Sequence, residues 1–334
     1  MTDLTLASSD AAQRRGLLGW LLVFNLPLLM IVMELSVYAF EPRVLSLRNV
    51  VNVLNQSSYL FVFACAQMVV ILTRGFDLSL GAAVSTVSVA SALAMTGLAK
   101  TASPDAVVVA AGLAAGLGVG ALVGLFNGGF VSGLAINPFV VTLGSLNICL
   151  GLSTTISGGS PVFNVPDVFS RLFYNGVLIP GVSIPITIAI VIAVALYFLL
   201  NHTTFGRSLY IIGNNPRAAR VAGLPSRRFL FMAYLVCSLL AAFGGLMLTA
   251  RTGSGEPNLG GSLMLESIAA AVIGGVSLQG GVGGVGAVVF GALFVTMLSN
   301  SMDLLEVGGY IQQILLGCVI ILATFLDRLR RTRT

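Results

Sequence analysis

An all-α, polytopic membrane protein is the fold class this sequence predicts, and three observations predict it. Apolar residues fill 57% of the 334 positions and charged residues only 9%, against roughly 25% charge in soluble domains. Apolar runs of about 20 residues, the length that carries a helix across a bilayer core, recur along the whole chain. The 39 glycines are set among apolar residues, which fits close helix packing in lipid better than disorder.

Residues 1–16 read as a polar cytoplasmic tail that ends in Arg14, Arg15 and Gly16. A single transmembrane domain, 17–326, follows, and 327–334 form a basic cytoplasmic tail. Within the domain the runs predict about ten spans, near 17–39, 51–72, 79–98, 106–126, 138–157, 184–200, 229–250, 263–279, 285–302 and 310–326. The first run is longer than a signal-peptide core and lacks a small-x-small cleavage pattern, so it reads as retained. Trp20 near its start suits an interfacial position. The short connections near 73–78 and 280–284 are expected to be tight hairpins or helices broken within the membrane.

Charge sets the orientation. With the N-terminus inside, Arg14, Arg15, Arg74, Arg207, Arg217, Arg220, Arg227, Arg228, Arg328, Arg330, Arg331 and Arg333 fall on the inner side. The outer side receives only Arg43, Arg48, Lys100, Arg171 and Arg251. Inner loops enriched in cations mark the cytoplasmic face, so both termini are expected there. The basic balance is therefore a topology signal and not a nucleic-acid surface. Cys65, Cys149, Cys237 and Cys318 lie far apart in apolar runs and read as small buried hydrophobes. No His/Cys/carboxylate cluster suggests a metal or a catalytic triad, and His202 is the sole histidine. There is no G-x-x-x-x-G-K-[ST] phosphate loop, so the sequence offers no site for ATP hydrolysis.

Four stretches carry more specific information. Gly112, Gly116, Gly120, Gly124 and Gly128 recur every four residues, a bare helical stripe against which another backbone can pack. In the inner loop 201–228, Asn215 and Pro216 are a helix start, and Arg217, Ala218, Ala219 and Arg220 the body of a short helix. Gly223 then stops it. The outer loop 158–183 contains "DVFSRLFYNG", which reads as a short amphipathic helix. The fourth stretch is "ILTRGFDLSLGAAVS", 71–85, where Arg74 and Asp77 interrupt an apolar context. Three readings stand side by side: a solvated cytoplasmic turn, a break inside the membrane with freed backbone lining a pathway, and mutual pairing of the two charges. "VIGGVSLQGG", 272–281, partly echoes this stretch in the other half of the chain.

Asp77, Ser79, Gln67, Asn147, Glu266 and Gln279 are polar groups in or beside the apolar runs, and as a set they are candidates for lining a path for a polar solute. Two transport classes fit these residues. An ion-driven secondary transporter would use Asp77 and Glu266 as its intramembrane carboxylates; the other class is an importer powered by a partner chain.

Together, "RGFDLSLG" (74–81), "NPFVVTLGSL" (137–146), "FGRSLYIIGNNPRAARVAG" (205–223) and "LESIAAAVIGGVSLQGGVGG" (265–284) resemble the permease subunits of bacterial ABC-type monosaccharide importers of the ribose/xylose/arabinose/galactose class. The first stretch is similar to that family's "GGIDLSVG", with Arg74 in place of a glycine; Val282 and Val285 stand where the family often carries arginine. The resemblance implies a bacterial inner-membrane subunit that binds no cofactor itself. It also implies a cytoplasmic ATP-binding-cassette partner holding ATP and Mg, a periplasmic sugar-binding protein, and a second permease chain, identical or related. On it, Asn215 to Gly223 would contact the ATPase, and Asp105, Asp167, Arg171 and Glu256 the binding protein.

Overall fold

The computed structural model describes residues 25–179 and 181–331. Arg14, Arg15, Trp20 and the start of the first expected span lie outside the described residues, as does the end of the basic tail, 332–334. The described chain is built of helices: α1 (Asn25–Tyr38), α2 (Leu47–Ile71), α3 (Leu80–Ala99), α4 (Asp105–Gly128), α5 (Pro138–Ser157), α6 (Asp167–Ser170), α7 (Ile184–His202), α8 (Thr204–Asn214), α9 (Pro216–Val221), α10 (Ser226–Thr252), α11 (Leu263–Ile273), α12 (Val285–Leu304) and α13 (Gly309–Arg331). A small antiparallel hairpin pairs β1 (Val177–Ile179) with β2 (Val182–Ser183).

Among the described residues seven helices are long and apolar enough to cross a membrane: α2, α3, α4 with its π-helical extension to Gly133, α5, α7, α10 and α12. The other three expected spans correspond to α1, α11 and the apolar part of α13. The expectation for 263–279 needs correction. Its helix ends at Ile273, and 11 residues reach only roughly 16 Å, about half a bilayer core. The pair Gly274 and Gly275 stops it. The last helix runs on through Arg331, so the expected tail begins as helix.

α2 is the central post. From Ser57 to Leu72 every residue is buried, because α7, α10, α11 and α12 pack around it. A helix apolar on all sides belongs at such a position. Ser46 caps its start by accepting from Asn49 N–H at 3.3 Å.

The glycine stripe of α4 does what its spacing predicts. Gly112 lies against Met95 of α3, Gly116 against Leu246, and Gly120, Gly124 and Gly128 against the α10 backbone near Ser238, Leu235 and Phe231. A β-carbon at Gly120 would stand 2.9 Å from Ser238 O and one at Gly124 would stand 2.8 Å from Leu235 Cα. Gly118, off the stripe, faces open space.

On one end of the bundle, α6 and a following π-turn (Arg171–Asn175) form the expected amphipathic element. Phe169 is fully buried and its ring lies 5.2 Å from that of Phe173, which in turn meets Phe243 of α10 at 6.0 Å. Among the described residues the one ion pair is Arg43 with Glu41, on a short turn between α1 and α2. There the guanidinium holds the Glu41 carboxyl down at about 2.

Gly120→Leu should destabilise the detergent-solubilised protein by about 1–3 kcal/mol through overpacking, whereas Gly118→Leu should stay within about 0.5 kcal/mol. Thermal unfolding of the two variants side by side checks this; equal melting temperatures would contradict the packing role of the stripe.

Candidate functional site

Three stretches of non-helical backbone interrupt the bundle, and the candidate site is made from them. The first is 72–79. α2 ends there in a Schellman motif: Gly75 N–H bonds Val70 O at 3.2 Å and Arg74 N–H bonds Ile71 O at 2.9 Å. Arg74 occupies the left-handed position of that motif, with φ +67°, where glycine is the usual occupant. From the following residues the chain turns inward. Asp77 is 1% exposed, and its carboxylate accepts from Ser79 N–H at 2.9 Å, from the Ser79 hydroxyl, from Asn127 of α4 and from the Cys237 thiol of α10. Gln67 Nε2 donates to Asp77 O at 2.6 Å and Tyr234 donates to Phe76 O at 3.3 Å. A buried carboxyl without a paired cation is costly unless hydrogen bonds compensate, and here four donors converge on it.

The second break, 274–284, repeats this construction. Val276 N–H bonds Ala271 O at 2.9 Å and Gly275 N–H bonds Val272 O at 2.9 Å, the same Schellman pattern, with Gly275 in the position of Arg74. The Ser277 hydroxyl then accepts from Gln279 N–H at 3.2 Å, as Asp77 does from Ser79. The two breaks touch: Gly281 N–H donates to Leu72 O at 2.9 Å. The sequence echo is thus a structural repeat of one turn, brought into contact.

The third stretch, 253–262, was expected only as an outer connection. Instead it packs alongside α3, bridged to Val162 at Gly255 and then winding through turns from Pro257 to Ser262. Gly255 packs on Ala92, Glu256 N–H donates to the Ser88 hydroxyl at 3.1 Å, and Gly260 N–H donates to the Ser85 hydroxyl at 3.0 Å. Ser153 of α5 donates to Pro257 O at 3.2 Å. Buried irregular backbone requires such partners, and α3 supplies them as serines spaced three apart. Val162 of the loop before α6 adds a pair of 2.8 Å backbone bonds to Gly255. That serine spacing, beside the polar run "TGSGEPNLGGS", was the signal available in the sequence.

At the foot of this segment lies a cavity of about 210 Å³ between α3, α5 and the start of α11. Ser85, Asn258 and the backbone of Gly260 and Gly261 give it polar groups, and Leu78, Leu146, Leu150 and Met264 give it apolar walls. A few placed polar groups in an apolar setting are what a small hydroxylated solute requires.

The loop 201–228, expected on the inner side, is more structured than its sequence suggested. α8 was read as loop, yet Phe205, Leu209 and Ile212 bury one face of it. Its glycines lowered the apparent helix propensity, but each is there for close approach: Gly213 fits against Leu72 O and Gly281. α9 matches its expectation: Asn215 Oδ1 accepts from Arg217 and Ala218 N–H at 3.1 and 3.0 Å. Gly223, at φ +74°, closes its Schellman motif.

The predicted residues fall into distinct places. Gln67, Asp77 and Ser79 form one buried cluster with Asn127, a partner the sequence reading missed. Asn147 and Gln279 are exposed and Glu266 is half-buried, apart from that cluster. The mutual pairing of Arg74 and Asp77 is overturned: the carboxylate points inward, whereas the guanidinium bonds Gly213 O and Asn214 O at the end of α8. A solvated turn is likewise overturned for Asp77 by its burial. Ala219 is fully buried against this chain, so it anchors α9, while Arg217, Ala218 and Arg220 are exposed. Val221, 90% exposed, was missed. Asp105, Asp167 and Arg171 are exposed; Glu256 is half-buried and accepts from Ser254 at 2.6 Å.

Comparison with known proteins places this geometry in context. A family model described as "Branched-chain amino acid transport system / permease component" matches residues 49–324. The galactose/methyl galactoside import permease protein of Salmonella typhimurium is 34% identical, over 97% of this chain and 99% of the relative. The ribose import permease proteins of Bacillus subtilis and Escherichia coli are 33% and 32% identical, over 89% and 92% of this chain and 90% and 94% of the relatives. No solved structure matches.

Asp77→Ala should cost about 1–3 kcal/mol by stranding the Ser79 N–H and the Asn127 amide. Asn147→Ala and Gln279→Ala should each stay within about 0.5 kcal/mol. Unfolding in detergent checks the contrast, and an Asp77→Ala protein as stable as the parent would remove the fastening role.

Proposed function

The chain belongs to the permease-component family of ABC-type importers and is a multi-pass membrane transport subunit, and from that premise we propose that it forms the path by which a monosaccharide enters a bacterial cell. What carries this reading is identity of 32–34% to galactose and ribose import permeases along about nine-tenths of the chain or more. The family description names amino acids, but these relatives are sugar permeases, and the cavity beside Ser85 and Asn258 suits a hydroxylated solute better than a charged one. The ion-driven alternative loses its main support, because Asp77 is committed to four donors of its own chain.

The solute moves along the open face of α5. Asn147 projects there, and Gly144 and Gly151 leave the helix bare, with nothing within 4 Å of where a β-carbon would stand. An exposed amide in mid-span is expensive against lipid and natural against a second permease chain or a hydrated path. Two chains facing each other across this surface would enclose the route. Asn258, Ser85 and Asn147 are its polar contacts, and Glu266 and Gln279 stand at the half-helix and the break below it. A periplasmic sugar-binding protein delivers the solute to the outer end, touching Asp105, Asp167 and Arg171, with Glu256 ordered behind them.

Energy comes from a partner. A cytoplasmic ATP-binding-cassette subunit holds ATP and Mg and docks on α9, with both termini of this chain on the same side of the inner membrane. α9 has the form of a docking knob. It is capped at both ends, anchored by Ala219, and presents Arg217, Ala218, Arg220 and Val221 outward. An exposed valine next to Arg217 and Arg220 offers an apolar anchor beside charged groups.

Purification in mild detergent from the native membrane should bring down a stoichiometric ATPase subunit, and Val221→Glu should cut that recovery by about tenfold while leaving membrane levels unchanged. Asn258→Leu should retain the ATPase yet lose most sugar uptake. A stable preparation without any ATPase, with uptake that collapses only when the proton gradient does, would reject the importer reading.

A further inference from the structure

Arg74 ties the docking helix to both breaks. Its Nε donates to Gly213 O at 2.6 Å and its Nη2 to Asn214 O at 2.9 Å. These are the last carbonyls of α8, which have no partner within the helix, and a cation is favoured at that end. The next residue, Asn215, is the cap that starts α9. On its other side, the Arg74 backbone and Cγ lie against Gly280; a β-carbon there would stand 2.6 Å from Arg74 Cγ. Asn214 Nδ2 reaches Gly281 O at 3.4 Å, and Gly281 N–H bonds Leu72 O at 2.9 Å. One side chain therefore joins the first break to the residues immediately before α9, and the second break closes the triangle through glycines.

The left-handed backbone at Arg74 makes this possible. It ends α2 and sends the side chain away from the buried turn of Asp77 toward α8. Glycine would satisfy the same backbone but could not hold α8. Gly275, its counterpart in the second break, holds no neighbour, with open space around it. The charge adds a second feature. Among the described residues Arg74 has no carboxylate within ion-pair distance, so its guanidinium is held by backbone carbonyls alone.

We propose that Arg74 is the positioning residue that transmits movement of α9 to the two membrane breaks, so that ATP hydrolysis in the partner is converted into opening of the sugar path. The inference rests on the importer reading above and adds to it the route of coupling. A rigid junction of this kind has two ends that one motion can bias together. Without the guanidinium, α9 still docks and the ATPase still turns over, but α8 slides against the breaks instead of carrying them.

The test uses the full importer reconstituted in liposomes with its binding protein, reading ATP hydrolysis and sugar uptake on matched amounts of assembled complex. Arg74→Gly keeps the left-handed backbone and removes the strap; it should assemble normally and show uptake per ATP lowered by about tenfold. Arg74→Lys, with a single compact donor group in place of the planar fork, should fall between. A purely structural role would lower the amount of complex and leave uptake per ATP unchanged, and that result overturns the proposal. If Arg74→Gly does not assemble, Arg74→Lys decides alone: reduced uptake per ATP supports the strap and parental coupling rejects it. Parental complex whose uptake proceeds without ATP would bring down the importer reading and this inference together. Tight coupling in parent and Arg74→Gly alike would reject the strap only.

Discussion

Backbone amides and carbonyls released from helices and buried in a bundle must find partners inside the protein, and three released segments impose that demand on the rest of this one. At 253–262 the partners are the hydroxyls of Ser85 and Ser88 on α3. At 72–79 they are Gln67, Tyr234 and the Asp77 turn itself. At 274–284 they include Leu72 O and the hydroxyl of Tyr210, which donates to Gly283 O at 2.9 Å. Each segment is satisfied by its own set of helices, α3 and α5 for 253–262, α2 and α10 for 72–79, so these helices are positioned by polar contacts as well as by packing. In lipid, where apolar burial does not discriminate one helix arrangement from another, such contacts carry much of the specificity.

Small residues make these contacts reachable. Gly213, Gly260 and Gly281 each bring one backbone against another where a side chain would intervene. The stripe on α4 does the same for α10, and it brings Asn127 at its lower end within reach of Ser79 at 2.9 Å. Packing and polar fastening are thus one arrangement: remove the glycine approach and the donors no longer arrive at Asp77.

The sequence made the class of fold, the positions of nearly all the helices, the α4 stripe and the capped α9 legible, because each depends on local spacing or on capping chemistry. It hid what depends on partners far along the chain. The stretch 253–262 looked like an ordinary connection, since its hydrogen bonds go to serines about 170 residues earlier. The helix from 263 looked long, since apolar residues continue past the glycines that stop it. α8 looked like loop, since Gly206 and Gly213 suppress helix propensity that tertiary contacts restore. Ala219 read as a contact for a partner because burial by one's own chain has no local signature.

Arg74 and Asp77, three residues apart, part company because of one backbone angle. Arg74 itself takes the left-handed φ of +67° that ends α2, and its side chain and that of Asp77, three residues beyond the turn, reach different neighbours. The carboxyl goes into the bundle, where it needs several donors and finds them; the guanidinium goes to a helix end, where it needs acceptors and finds two. Opposite charges this close in sequence would ordinarily be assigned to each other. Here each is worth more to the fold apart, since pairing them would leave the end of α8 and the start of α3 without the groups that complete them. The break is therefore held by two charges acting on different neighbours, which is how one short turn comes to connect the buried Asp77 cluster with the end of α8 and the cap of α9.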